Sequence, residues 1–125
     1  MNIEYNLTNL FAVPVFNTVI NGITDYDKIS LTNIEYERSD YNSCSISENK
    51  YILEDQKYSF IKSKILEKFE FYVRDILQVS ADIDFYMTNS WTIKHKKGDK
   101  AVEHNHVNSI LSGVYYLNVD ENSGD

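Results

Sequence analysis

The hydrophobic period of the chain changes at Val79, and this change constrains the fold more than any other feature of the sequence. Residues 57–79 carry apolar side chains at spacings of three and four, which predicts an amphipathic helix with one face on a core. That face consists of Ile61, Ile65, Phe69, Tyr72, Val73 and Ile76. From residue 83 onward apolar and polar residues alternate, which predicts strands. A helix followed by strands predicts an α+β domain with the helix outside a sheet.

Residues 83–119 are predicted to supply the core strands of that sheet. The first strand alternates from residue 83 to 94, and Trp91 on it is expected to fill the core. A turn at residues 96–99 separates it from a short second strand at 102–106. The third strand covers residues 110–119 and leads into an acidic turn.

Residues 1–23 are predicted to form an edge strand and a turn. The single proline, Pro14, lies in an apolar run at residues 10–16. Proline is confined to the edges of sheets because it has no N–H to donate to a neighbouring strand. Asn21 and Gly22 then mark the turn.

The segment between these parts, residues 24–56, is polar and weakly periodic. Asp25 and Asp27 predict the cap of a short helix near Ile29. Residues 40–43 predict a loop. No strand is predicted in this segment.

Length, composition and charge indicate a single globular domain over residues 1–125. Hydrophobic residues make up 42% and charged residues 25% of the chain, an ordinary globular mixture. The formal net charge of −7 argues against a nucleic-acid partner, which requires a basic face. No apolar run approaches the roughly 20 residues of a membrane helix, and no secretory signal is visible. We therefore expect no membrane partner and a cytoplasmic location, with the single Cys44 in a polar loop.

Two histidines, His104 and His106, are the candidate metal ligands. Residues two apart on a strand point to the same face, so their imidazoles can share one metal ion. The alternative is that both are exposed loop histidines. His95 lies among lysines and is expected to be solvated. Gly98 and the histidine pair match the first half of a cupin metal motif, but the glutamate of that motif is missing.

The sequence around the histidines is more specific than the pair itself. The relevant segments are Ser90-Trp91, Gly98-Asp99, His104-Asn105-His106, the run N-S-I-L-S-G-V-Y-Y-L at residues 108–117, and Ser123-Gly124-Asp125. Together they resemble the family of 2-oxoglutarate/Fe(II)-dependent oxygenases that is common in phages and marine bacteria, and more distantly the prolyl-hydroxylase-like enzymes. The resemblance is close over residues 89–125 and loose over residues 1–88.

The resemblance implies an incomplete double-stranded β-helix, or jelly roll, with an outer amphipathic helix. It implies Fe(II) and 2-oxoglutarate as cofactors and hydroxylation of an unidentified small-molecule or peptide substrate. His104 and His106 would be metal ligands. Tyr115 or Tyr116 would bind 2-oxoglutarate, although either phenol can instead fill the core. Ser112 and Gly113 would supply small volume near the site or a bend in a strand.

The chain departs from the family pattern in two places. The second motif position, usually a carboxylate, is His106, so either this imidazole replaces the carboxylate or another acid supplies it. The distal histidine and the cation that pairs with 2-oxoglutarate are absent, because no histidine, arginine or lysine follows His106. We therefore expect a truncated N-terminal part of an oxygenase domain, or a decayed relative, inactive by itself. The alternatives are a cupin-like metalloprotein and a non-catalytic β-sandwich module for binding or structure.

Overall fold

The computed structural model describes residues 12–39 and 43–121. It combines helices with a small antiparallel sheet, in agreement with the predicted α+β class. In chain order the elements are helix α1 (Asp25–Thr32), strands β1 (Tyr36–Ser39) and β2 (Cys44–Ser47), two 3-10 turns (Ile52–Glu54 and Gln56–Tyr58), helix α2 (Ser59–Phe71), a π-helical turn (Tyr72–Ile76) and strand β3 (Ile93–Lys94). No helix in the described ranges has both the length and the apolar character needed to cross a bilayer.

Helix α1 forms where a short helix was predicted, but its cap lies one residue earlier. Thr24 is the N-cap residue, and its hydroxyl accepts a hydrogen bond from the backbone N–H of Asp27. The carboxylate of Asp27 accepts one in return from the backbone N–H of Thr24. This reciprocal capping box satisfies two N–H groups that the helix itself leaves without partners.

The sheet has the strand order β1-β2-β3, and both strand pairs are antiparallel. Strands β1 and β2 lie in the segment for which no strand was predicted. The burial of Cys44, which is 2% exposed in β2, corrects its expected place in a polar loop. Ser47 is fully buried, and its hydroxyl has partners there: it donates to the carbonyl of Asn49 and accepts from the N–H of Thr92.

Helix α2 and its π-helical turn occupy most of the predicted helix. Ile61 is 1% exposed, and Ile65 and Phe69 are partly buried, as the apolar stripe predicted. Ile76 is 44% exposed, whereas Val73 is fully buried, so the prediction for Ile76 was wrong. The reason is the π-helical turn, which winds more residues per turn than an α-helix and rotates the later positions away from the stripe.

The core lies between α1, the 3-10 turns and α2. Four buried side chains form it, namely Leu31, Ile52, Tyr58 and Ile61. Partly buried apolar residues pack around them, and Leu117 is one of these, so the later part of the chain returns to this core. Trp91 was expected to fill the core, but it is 37% exposed.

Strand pairing within residues 83–119 is limited, in the described part of the chain, to Ile93–Lys94 and a parallel bridge between Ser90 and Tyr51. Core strands were expected throughout this range, but residues 102–119 run without strand partners. An alternating pattern shows which side chains would share a face if the segment formed a strand. It does not show whether a neighbouring strand is present to accept and donate the hydrogen bonds. Pro14 also lies outside any strand, and the start of its predicted edge strand falls outside the described residues.

Candidate functional site

The segment that leads to the histidines is fixed at Ser90 to residues 50–53, which follow strand β2. Its backbone N–H donates to the carbonyl of Lys50 over 2.8 Å, and its carbonyl accepts from Ile52 over 3.0 Å. Its hydroxyl also accepts a hydrogen bond from the N–H of Leu53. These bonds hold the adjacent Trp91 at the start of the segment that passes through β3.

The turn after β3 is fixed by a charged pair. Gly98 adopts φ +87°, a left-handed conformation that favours glycine. The carboxylate of Asp99 accepts two hydrogen bonds from the guanidinium of Arg38, at 3.1 and 3.2 Å, and one from the backbone N–H of Lys96. The Arg38 guanidinium, followed by that N–H, lowers the pKa of Asp99 below its ordinary value. The turn is thereby tied to β1.

The imidazoles of His104 and His106 face each other. Their Nε2 atoms lie 3.2 Å apart, and their ring centroids are 5.1 Å apart. Both residues are exposed, and neither belongs to a strand. The two rings therefore face each other although the strand predicted to carry them is not formed, and their role as metal ligands stays a prediction.

The other side of each ring has its own partner. Nδ1 of His104 lies 2.7 Å from the carbonyl oxygen of Val102. Nδ1 of His106 lies 2.8 Å from the hydroxyl oxygen of Ser112. Trp91 contacts the ring of His106 edge-on, with the centroids 5.7 Å apart. Each imidazole is thus oriented through Nδ1, which leaves Nε2 directed at its neighbour.

The spacing of the two Nε2 atoms fits a single metal ion. Two nitrogens 3.2 Å apart, each about 2.1 Å from one metal ion, would subtend roughly 100° at it, between the octahedral and tetrahedral angles. Imidazole nitrogen suits both iron and zinc. In the described part of the chain, however, no group of three or more histidine, cysteine, aspartate or glutamate side chains could hold a metal ion.

The two tyrosines predicted to bind the cosubstrate lie in different environments. Tyr115 is partly buried, whereas Tyr116 is 73% exposed. The described hydrogen bonds of the histidine pair include neither phenol. The alternation of the two side chains is thus present, but the predicted contact with a cosubstrate site stays a prediction.

The hydrogen bond between Ser112 and His106 was not predicted from the sequence. Ser112 was expected only to supply small volume near the site or a bend in a strand. The turn at residues 107–108, closed by the bond from the N–H of Ser109 to the carbonyl of His106, reverses the chain. A turn directly after His106 was the feature that could have predicted this contact. A chain that reverses there brings the residues that follow the turn back beside the His106 side chain.

A separate cavity of about 440 Å³ lies against α2 and does not include the histidines. Its lining combines the ion pair of Lys62 and Glu54, 2.7 Å apart, with apolar side chains such as Leu66 and Phe85. The histidine pair is instead an open surface site.

A comparison with protein families matches residues 89–125 to the family described as Putative 2OG-Fe(II) oxygenase. The match covers less than half of the chain, and it includes Trp91, both histidines and Ser112. No curated protein and no solved structure matches the chain at a significant level. The chain is therefore similar to this family over its later part.

Proposed function

We propose that this chain carries part of the metal centre of a 2-oxoglutarate/Fe(II)-dependent oxygenase that hydroxylates a small-molecule or peptide substrate. The observation that carries the proposal is the pair of facing Nε2 atoms, 3.2 Å apart, on His104 and His106. This pair lies inside the segment that matches the oxygenase family. Similarity of sequence and suitable ligand geometry thus coincide in the same residues.

In this proposal the chain's own side chains bind and orient the metal. His104 and His106 bind Fe(II) through Nε2, while Val102 and Ser112 hold the rings through Nδ1. The edge of Trp91 limits rotation of the His106 ring. When bound, Fe(II) and 2-oxoglutarate supply oxygen activation coupled to decarboxylation of 2-oxoglutarate to succinate. A phenol from Tyr115 or Tyr116 is proposed to donate a hydrogen bond to 2-oxoglutarate.

We further propose that the metal centre requires a third ligand from outside this histidine pair. A facial iron site takes two histidines and one carboxylate, and the described residues bring together only the two imidazoles. A jelly roll would also provide strand partners for residues 102–119. Exposed apolar side chains in that range support this part of the proposal, among them Val107, Ile110, Val114 and Val119.

Metal titration tests the proposal directly. Co(II), a stable substitute for Fe(II), is titrated into the protein and followed by its visible absorption and by calorimetry. We expect weak binding that His104→Ala and His106→Ala abolish. His95→Ala is the matched control, because His95 is exposed and directly follows β3, outside the pair. Equal binding by all three variants, or none by the unaltered protein, would contradict the proposal.

Turnover is tested separately. With Fe(II), 2-oxoglutarate and oxygen, the 125-residue chain is expected to release no succinate, because two imidazoles leave the facial site one protein ligand short. Succinate is measured by chromatography after incubation. Release of succinate that His104→Ala abolishes would show that the described pair finds its third ligand within this chain, against our expectation.

A further inference from the structure

We infer that Ser112 is a positioning residue that orients His106 by reversing the direction of one hydrogen bond. Its hydroxyl donates to Nδ1 of His106 in the metal-free pair and accepts from the same atom once both Nε2 atoms bind a metal ion. The second half of this inference rests on the proposed function. The first half concerns the metal-free protein alone.

The direction of each hydrogen bond follows from the groups themselves. The carbonyl oxygen of Val102 can only accept, so Nδ1 of His104 carries the proton in their 2.7 Å bond. In the neutral imidazole Nε2 of His104 then holds a lone pair and accepts. Nε2 of His106 must therefore donate in the 3.2 Å bond between the rings. Nδ1 of His106 is left as an acceptor, so the hydroxyl of Ser112 is the donor at 2.8 Å.

This arrangement makes the two histidines unequal. His104 already presents the Nε2 lone pair that a metal ion needs, whereas His106 carries a proton on its Nε2. Binding a metal through both rings requires that the proton of His106 leave Nε2 and that Nδ1 become protonated, with no net change in charge. Nδ1–H of His106 then donates to Ser112 Oγ.

A hydroxyl is suited to this change because it can donate or accept by rotating about its C–O bond. A carbonyl, such as the one that faces His104, can only accept and would fix one tautomer. Ser112 is exposed, and it is followed by Gly113, so nearby packing leaves room for the rotation. The position of the oxygen relative to the ring stays the same in both states.

The metal-free half is tested by long-range ¹H–¹⁵N correlation spectra of the imidazoles, which show which ring nitrogen of each histidine carries the proton. In the unaltered protein we expect the Nδ1–H tautomer at His104 and the Nε2–H tautomer at His106. Ser112→Ala should shift His106 toward a mixture of tautomers, and Ser112→Thr should restore the original pattern because it keeps a hydroxyl. Ser109→Ala is the matched control, since Ser109 binds the His106 carbonyl through its backbone.

The metal-bound half is tested by Co(II) affinity in the same four proteins. Loss of such a ring-orienting partner typically weakens metal binding 10- to 100-fold, so we expect that loss for Ser112→Ala and near-normal affinity for Ser112→Thr and Ser109→Ala. Circular dichroism checks that every variant is folded. Unchanged tautomers and unchanged affinity in Ser112→Ala would overturn the inference. Absence of Co(II) binding in the unaltered protein would overturn the proposed function. The tautomers of His106 in the unaltered protein and in Ser112→Ala would then be the only test of whether Ser112 orients His106.

Discussion

Ile61→Ala removes side-chain volume from a position that is 1% exposed, at the centre of the core formed with Leu31, Ile52 and Tyr58. The three lost carbon atoms correspond to about 2.4 kcal/mol, at roughly 0.8 kcal/mol for each buried methylene. The cavity that remains adds a further cost, because the surrounding side chains relax only in part. We therefore expect a total loss of about 3–4 kcal/mol in the free energy of unfolding.

Ile76→Ala is the matched control, because it makes the same chemical change in the same helical segment. Ile76 is 44% exposed, so its transfer term is at most about 1.3 kcal/mol, and the open site leaves no closed cavity. The higher helix propensity of alanine favours both variants by a similar few tenths of a kcal/mol.

The measurement is urea denaturation of both variants, followed by circular dichroism. Thermal unfolding gives a second reading, with an expected drop in Tm of about 12–16 °C for Ile61→Ala, at roughly 4 °C per kcal/mol. Equal losses in the two variants would refute the reasoning, since they would mean that the π-helical turn does not rotate Ile76 out of the core.

Two further predictions concern single contacts. Thr24→Ala should cost about 1 kcal/mol in urea denaturation by removing the N-cap of α1, whereas Thr24→Ser should retain most of the stability; equal values for both variants would contradict the capping role. The guanidinium of Arg38 is the main cause of the lowered pKa of Asp99. The contact between these two side chains therefore contributes its full stability above the ordinary carboxyl pKa of about 3.9, and this contribution is lost as the pH falls through the lowered pKa. Asp99→Asn should therefore flatten the acid limb of the stability profile, measured as denaturation midpoints from about pH 2 to 5, and an unchanged limb would count against the pair.

Strands β1 and β2 show why part of the fold could not be predicted. The sequence of β1, Y-E-R-S, lacks the alternation that marks a strand, and the alternation in C-S-I-S of β2 covers only four residues. They pair because the chain brings them together, with Tyr36 opposite Ser47, and because Ser47 also bonds to Thr92. Strand β2 also pairs with β3, where Ser45 lies opposite Lys94, and a local pattern does not contain so distant a partner.

The candidate site shows the same division. The spacing of His104 and His106 predicted that their side chains would meet, and the resemblance around them was confirmed at the level of a family match over residues 89–125. The contacts of Trp91 and Ser112 with His106 were not predicted. They arise from the chain reversal after His106 and from the anchoring of Ser90, and both depend on the path of the backbone.

The sequence by itself determined the elements that depend on neighbours along the chain. These are helix α2, the short helix α1, the left-handed conformation of Gly22, the turn at Gly98, and the closeness of two histidines two residues apart. The tertiary structure alone decided which side of the helical segment is buried at its end, where Val73 is buried as predicted but Ile76 is exposed. It also decided which strands pair and which group orients each imidazole. The physical reason is that period and spacing act within a few residues, whereas burial, strand pairing and hydrogen-bond direction depend on atoms brought together from distant parts of the chain.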